Sequence, residues 1–507
     1  MSKVSRRTFL GTTASAAAAF TVIPNHAMGS VLGHKAPSDK LNVAIVGSGG
    51  RANAVLNAVK PTENIVALCD VDWKNAASSF QNNPQAKQFK DWRKMYEEMG
   101  KSIDAVVVGT ADHTHAIVAA TAITMNKHVY CEKPLTHSVY ESRLLTKLAA
   151  KYKVATQMGN QGSSAAGVRQ VCDWIWNGEI GDVKRVDTFT DRPIWPQGLN
   201  TPKQPQWVPE TLDWDLFIGP AKMIPYHEVY HPWNWRGWWA FGTGALGDMA
   251  CHIMHPIFKA LQLGYPTKVQ GSSTMLLVDC APVAQSVRYI FPERPTDKKS
   301  KVKFPEVEVN WYDGGIRPVM PKGWPAGKNM NNNGGAAIFY GTKDTLICGC
   351  YGREPWLLSG RTPVSPKTQR EVPQLISKNK QGQDSIDDTA THAMDWVRAC
   401  KENAASRVEA ASNFSEAGPF NEMVVMGVLA VRLQGLNKEL EWNGVNMEFT
   451  NIGDNDKIKM IIEDKFSVED GHPRINPITT DPINAKSFAQ ELIKHTYRKG
   501  WSLPAMP

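Results

Sequence analysis

The chain has 507 residues, 42% of them hydrophobic and 21% charged, with a formal net charge of +8. At roughly 150 residues per domain this is enough for about three domains, and the balance excludes a mainly disordered chain, a collagen or a small disulfide-stapled scaffold. Beyond the N-terminus no apolar stretch reaches the ~18 residues of a membrane span, and the basic excess forms no long run that would suggest nucleic acid.

The first element is an address. Arg6-Arg7 precede Phe9-Leu10 and an Ala-rich run ending near Ala27. A basic start, a weakly apolar middle and small residues read as a signal peptide over 1–29, with an Ala-rich amphipathic helix as the plainer alternative. The paired arginines resemble the twin-arginine signal, which implies the twin-arginine export machinery and a periplasmic location. Residues 30–40 read as an extended arm. The eight cysteines are too few for a disulfide framework in a chain of this length. Cys69, Cys131, Cys172, Cys251 and Cys400 read as buried small hydrophobes. Cys348-Gly-Cys350 lacks a second pair, so no metal is expected there.

From 41 to 158 strands and helices alternate. LNVAIVG (41–47) is a short run of β-formers that reads as a buried parallel strand. It enters Gly47-Ser48-Gly49-Gly50-Arg51-Ala52, which fits G-x-G-x-x-G/A with Ala52 in third place. The glycines allow a tight turn close to a pyrophosphate, and the helix predicted over 51–60 would present its N-terminal N–H groups. A second strand, 64–70, ends in Asp70, 23 residues after Gly47. An acid there can accept both hydroxyls of an adenosine ribose and would repel a 2′-phosphate, favouring NAD over NADP; Asp72 is a possible substitute. Strands at 103–109, 128–131 and 154–158 and helices near 114–126 and 139–151 complete a doubly wound parallel sheet. Ligands sit beyond the carboxyl ends of such strands, where Thr110-Ala111-Asp112-His113-Thr114-His115 and Cys131-Glu132-Lys133-Pro134 lie. His113-x-His115 suits capping and packing better than a metal, since no third ligand is evident. Lys133 could hydrogen-bond a substrate hydroxyl and stabilise developing alkoxide charge; the plainer reading is a surface Glu-Lys pair.

The set GSGGRA, CD, GTADHTHA and KHVYCEKPL, in this order and spacing, resembles the Gfo/Idh/MocA oxidoreductases. The resemblance implies a nicotinamide dinucleotide cofactor, a second α+β domain on a large, mostly antiparallel sheet, and a catalytic or substrate-orienting role for Lys133. Gly47, Ser48, Gly49, Gly50, Arg51, Asp70, Thr110, His113, His115, Glu132 and Lys133 form the expected cofactor set.

After Met158 the pattern changes, and a substrate and oligomerisation domain is expected over 159–440, with 441–507 packing back as an extension. Between 191 and 240 lie seven of the chain's 17 tryptophans. Indoles can cover the apolar faces of sugar rings, or the loop can fold over its own aromatic core. In GTGALGDMACHIMH (242–255), Asp248 and His252 share a helix face, and a carboxylate beside an imidazole orients it and raises its pKa. On spacing alone the pair could be structural. The family resemblance implies that His252 is the acid/base and Asp248 its partner. Gln161, Trp195, Arg236 and Trp238 are expected on the substrate side. Helices near 386–403 and 416–437 and a helical tail at 484–497 follow.

The expected activity is an exported, NAD-dependent oxidoreductase acting on a CH–OH group of a sugar, glycoside or polyol, with tightly bound cofactor, as a dimer or tetramer. One alternative is a glycosidase or lyase that oxidises a ring hydroxyl transiently. A second is a non-catalytic nucleotide-binding protein.

Overall fold

The computed structural model describes residues 39–296, 301–331, 334–364 and 389–507. The signal-peptide expectation and nearly all of the arm lie outside these residues. In chain order the first unit comprises β1 (Asn42–Val46), α1 (Ala52–Val59), β2 (Asn64–Cys69), α2 (Ala77–Asn82), β3 (Lys87–Phe89), α3 (Trp92–Met99), β4 (Ala105–Val108), α4 (Asp112–Thr124), β5 (His128–Glu132), α5 (Val139–Tyr152) and β6 (Thr156–Gly159). The six strands form one parallel sheet in the order β3-β2-β1-β4-β5-β6. The order reverses between β1 and β4, and that switch point opens a crevice at the strands' carboxyl ends. Local signals set the boundaries. Asp91 caps α3 by accepting from the Arg93 N–H. Ser138 and Glu141 form a reciprocal capping box at the start of α5, which satisfies two otherwise orphaned N–H groups.

The second unit comprises α6 (Ala166–Trp176), β7 (Val183–Thr190), α7 (Trp214–Ile218), α8 (Gly244–Ile253), α9 (His255–Ala260), β8 (Lys268–Ser273), β9 (Gln285–Phe291), β10 (Val307–Tyr312), β11 (Gly335–Gly341), β12 (Thr345–Gly349), β13 (Trp356–Leu357), α10 (Thr389–Lys401), α11 (Phe414–Arg432), β14 (Leu440–Asn443) and β15 (Glu448–Phe449). Its nine-stranded sheet runs β13-β12-β11-β7-β10-β9-β8-β14-β15. Every neighbouring pair is antiparallel except β10 with β7. The fold is thus the α/β pairing of a parallel Rossmann sheet with a large, mostly antiparallel one.

Two helices that follow β13 join the units. α11 is apolar on nearly every side, and so is buried on every side. Phe420, Val424 and Leu429 share one core with Leu144 and Leu148 of α5 and with Val287 and Tyr289 of β9. α10 lies on the opposite face of the parallel sheet, where Trp396 and Val397 pack with Val43, Ile45 and Leu56. A segment of the 159–440 stretch therefore completes the first unit's core, and β14 and β15 carry the second sheet to Phe449. The rest of the tail forms short strand pairs and a helix, Ala485–Ile493. It is anchored by Tyr497, which donates to Glu141 (2.7 Å), and by Trp501 under the Arg93 guanidinium (4.3 Å). Among the described residues no helix is long and apolar enough to cross a membrane.

Candidate active site

A cleft of about 900 Å³ lies between the carboxyl ends of β1, β2, β4 and β5 and the wall made by the 191–240 loop and α8. At one end is the glycine turn. Gly47 has φ +82°, and a Cβ there would sit 2.6 Å from the Gly109 carbonyl carbon, so only glycine fits. Gly49, Gly50 and Arg51 line the cleft. No side chain caps the N-terminus of α1, which leaves a place where an anion would be stabilised. Asp70 also lines the cleft and accepts from the Gly49 N–H (2.8 Å) and the Asp72 N–H (2.9 Å). Burial pushes its carboxyl up to about 6. Asp72 is committed to the His231 imidazole at 2.9 Å and is not part of the lining. Glu132, the last residue of β5, lies 3.8 Å from the Arg51 Nε. Both its carboxylate oxygens are buried without a hydrogen-bond partner, and burial pushes the group up to about 7. A glycine cradle, an uncapped helix start, a strand-end carboxylate and an orphaned buried acceptor fit a dinucleotide. The glycine turn and α1 would hold its pyrophosphate and Asp70 its adenosine ribose.

Three of the expected cofactor residues hold structure rather than meet the cleft fully. Ser48 is buried, outside the lining, its carbonyl accepting from the Ser79 hydroxyl (2.6 Å). His115 is also outside the lining. Its ring nitrogens lie 2.8 Å from the Pro134 carbonyl and 3.0 Å from the Thr110 carbonyl, so it pins the backbone directly after Lys133. His113 touches the cleft, but its ring is held between Phe217 and Phe241, with Nε2 2.9 Å from the Phe217 carbonyl. Burial pushes both imidazoles down to about 4, so they are neutral pins. Thr110 stays in the lining.

At the other end Lys133, Asp248 and His252 meet. Lys133 Nζ donates to Asp248 Oδ1 at 2.7 Å, and the Arg236 Nε lies 3.4 Å from the same oxygen. Burial alone would raise the Asp248 carboxyl, but the Lys133 and Arg236 charges hold it below its ordinary value. This corrects the expected pairing. Asp248 holds Lys133 rather than His252, whose Nδ1 has no hydrogen-bond partner. The expected rise in imidazole pKa is also reversed. Burial, with the Lys133 charge, keeps His252 well below its ordinary value. A neutral imidazole facing a cleft beside an ammonium can accept a proton at neutral pH.

The tryptophans divide between the two readings. Trp238 is 1% exposed and donates to the Val229 carbonyl (3.1 Å) within a cluster containing Trp214, Phe217, Tyr230 and Phe241. It is core, not substrate wall. Trp195 and Gln161 do line the cleft. So do Trp233 and Trp235, which grip the Arg236 guanidinium at 4.0 and 4.3 Å and were not singled out from sequence. Arg192 and Tyr351 are further lining residues that sequence reasoning missed. The Trp-rich block was a usable signal for the indoles. Nothing in the sequence around Cys350-Tyr351-Gly352 pointed to the ring between them.

Comparison with known proteins agrees with this geometry. Residues 41–160 match the oxidoreductase family described as the NAD-binding Rossmann fold of GFO_IDH_MocA, and 179–289 match that family's C-terminal alpha/beta domain. The chain is 27% identical to glucose-6-phosphate 3-dehydrogenase of Bacillus subtilis (strain 168) over 143 residues, 28% of this chain and 39% of the relative. It is 24% identical to levoglucosan dehydrogenase of Pseudarthrobacter phenanthrenivorans over 231 residues, 42% of this chain and 49% of the relative. The chain thus spans less than half the length of these curated relatives. An inositol dehydrogenase homologue from Azotobacter vinelandii, solved with NADH and myo-inositol, shares the fold at TM-score 0.54 and 14% identity, covering 80% of this chain and 98% of that one. On the two matched segments and the sheets that carry them, the chain is similar to the Gfo/Idh/MocA oxidoreductases.

Proposed function

We propose that the protein is an NAD-dependent oxidoreductase acting on a CH–OH group of a sugar, glycoside or polyol. One observation carries this reading: the Lys133 ammonium, paired with Asp248, and the neutral His252 imidazole face one end of a cleft whose other end is a dinucleotide cradle. The names of the sugar dehydrogenases matched in sequence support the substrate class.

A bound nicotinamide supplies the hydride acceptor. The substrate hydroxyl sits between Lys133 and His252. His252 takes its proton, and Lys133 donates a hydrogen bond to the oxygen as negative charge builds there. Asp248 keeps the ammonium aimed, and the indoles of Trp195, Trp233 and Trp235 hold the ring. Arg192 and Arg236 bound the same end. We further propose that the cofactor stays bound through turnover and that the chain works as a homo-oligomer. The proposal of export rests on Arg6-Arg7 and the residues after them.

The test uses purified protein and a panel of sugars and glycosides, following the near-ultraviolet absorbance of reduced nicotinamide with product analysis. A lasting rise with a ketosugar product is expected. Release of an aglycone without a lasting rise would assign the chain to redox-assisted glycoside cleavage. Failure to bind NAD at all would refute the proposal.

A further inference from the structure

A catalytic histidine needs its ring fixed, commonly by a second hydrogen bond to the nitrogen that does not react. His252 has none: Nδ1 is unpartnered, and the nearby Asp248 carboxylate is held by Lys133 and Arg236. What touches the imidazole is an aromatic ring. Tyr351 packs on it with centroids 4.7 Å apart and planes at 69°.

Tyr351 is held in an unusual way. It lies in the tight turn Cys350–Gly352 that ends β12, with φ +65° and ψ +16°. Side chains with a Cβ seldom adopt that left-handed backbone, and glycine would fit it freely. The seat for the turn is also specific. A Cβ on Gly162 would lie 2.6 Å from the Tyr351 Cδ1, and a Cβ on Gly167 would overlap the Gly352 carbonyl. Bare backbone at Gly162 makes room for the ring, and at Gly167 for the turn that carries it. The Arg353 guanidinium lies 4.6 Å from the ring centroid and holds it further. A strained tyrosine, in a seat cleared for it, against an imidazole without a hydrogen-bonded orienter, calls for a role of its own.

We propose that Tyr351 is the positioning residue of His252, its ring fixing the imidazole by edge-to-face packing and shielding it from water. The inference rests on His252 being the proton acceptor. The charged and titratable groups facing His252 are Lys133, Asp248, Arg51 and His255. Of the groups that face the imidazole only the Tyr351 phenol, which burial keeps neutral, changes in the variants below.

The experiment compares Y351A, Y351G and Y351F as NAD-loaded protein. In Y351A, kcat falls about 10- to 100-fold, the cost of a misplaced reacting group, while bound nucleotide is unchanged. The acid limb of the kcat/KM profile moves to higher pH as water reaches the imidazole. Y351F restores kcat, because the ring and not the hydroxyl positions. Y351G relieves the backbone strain that Y351A keeps, so its thermal midpoint lies above that of Y351A, yet it loses kcat like Y351A. Wild-type kcat in Y351G, or loss in Y351F equal to that in Y351A, overturns the proposal. A readout independent of turnover is the His252 ring signal in histidine-labelled holoprotein by NMR. Its titration shifts toward ordinary imidazole in Y351A, and an unmoved titration also overturns the proposal. H252A separates the two readings. Full activity in H252A defeats the acid/base assignment itself. Loss in H252A with none in Y351A defeats only the role of Tyr351.

Discussion

Replacing Asp248 by Asn distinguishes two ways in which a carboxylate can serve this site. The side chain keeps its shape and loses its charge. In the structure that charge faces Lys133 at 2.7 Å and Arg236 at 3.4 Å, with all three side chains 15–17% exposed. Asn Oδ1 can still accept from Lys133, so a charge-assisted hydrogen bond becomes a neutral one. The difference between those two classes is about 1–2 kcal/mol. If the ammonium is held that much less firmly in the transition state, kcat falls roughly 5- to 30-fold. The acid limb set by His252 moves, if at all, to lower pH, because the Asp248 charge raises the imidazole pKa through space and makes no hydrogen bond to it. The assay is steady-state turnover across pH, with bound nucleotide measured on the same preparations. A carboxylate that fixes the tautomer of a catalytic histidine is worth far more, about 10⁴-fold in the serine-protease case. A loss of that size in D248N would refute this reasoning and return Asp248 to His252.

Three further predictions test other parts of the site and fold. K133A lowers kcat roughly 100- to 10,000-fold while the protein keeps its nucleotide, measured by turnover and by cofactor release on denaturation; loss of nucleotide instead contradicts the role given to Lys133. D70S weakens NAD binding by roughly 10- to 100-fold and narrows the preference over NADP, read by titration calorimetry. Because burial pushes the Asp70 carboxyl up to about 6, NAD binding to the unmutated protein weakens as pH falls through that value and the acceptor is protonated. Glu416 tests the core: burial alone would raise it, but Lys259 and the His255 hydrogen bond bring it down to about 2. A carboxyl depressed on folding stabilises above its unfolded pKa, so its contribution of about 3 kcal/mol is lost as pH falls from about 4.5 to about 2. Urea unfolding should show that acid loss in the unmutated protein and little of it in E416Q.

How much was legible in the sequence depends on how local each decision was. The parallel sheet could be read because β1, β2, β4 and β5 are short apolar runs separated by helical spacing. The cradle could be read because its glycines are consecutive and meet a helix start. Lys133 and His252 could be picked from motifs that each lie within a few residues. By itself, then, the sequence determined the fold class, and it pointed to the glycine turn and to Lys133 and His252, which the fold brings to one cleft.

What the tertiary structure decided was partnership. Asp248 and His252 share a helix face, so spacing suggested that they were a pair, but Lys133 arrives from a loop 115 residues earlier and takes the carboxylate. His113 and His115 point to backbone carbonyls that only the folded chain brings near. The same holds for the tryptophans: Trp238 and Trp235 are alike in a sequence, and only packing sends one into the core and the other to the cleft. Tyr351 reaches His252 across 99 residues of chain through a turn seated on Gly162 and Gly167. A charge or a ring is paired with whatever lies nearest in space. Periodicity reports only neighbours along one element, so contacts between distant segments had to wait for the fold.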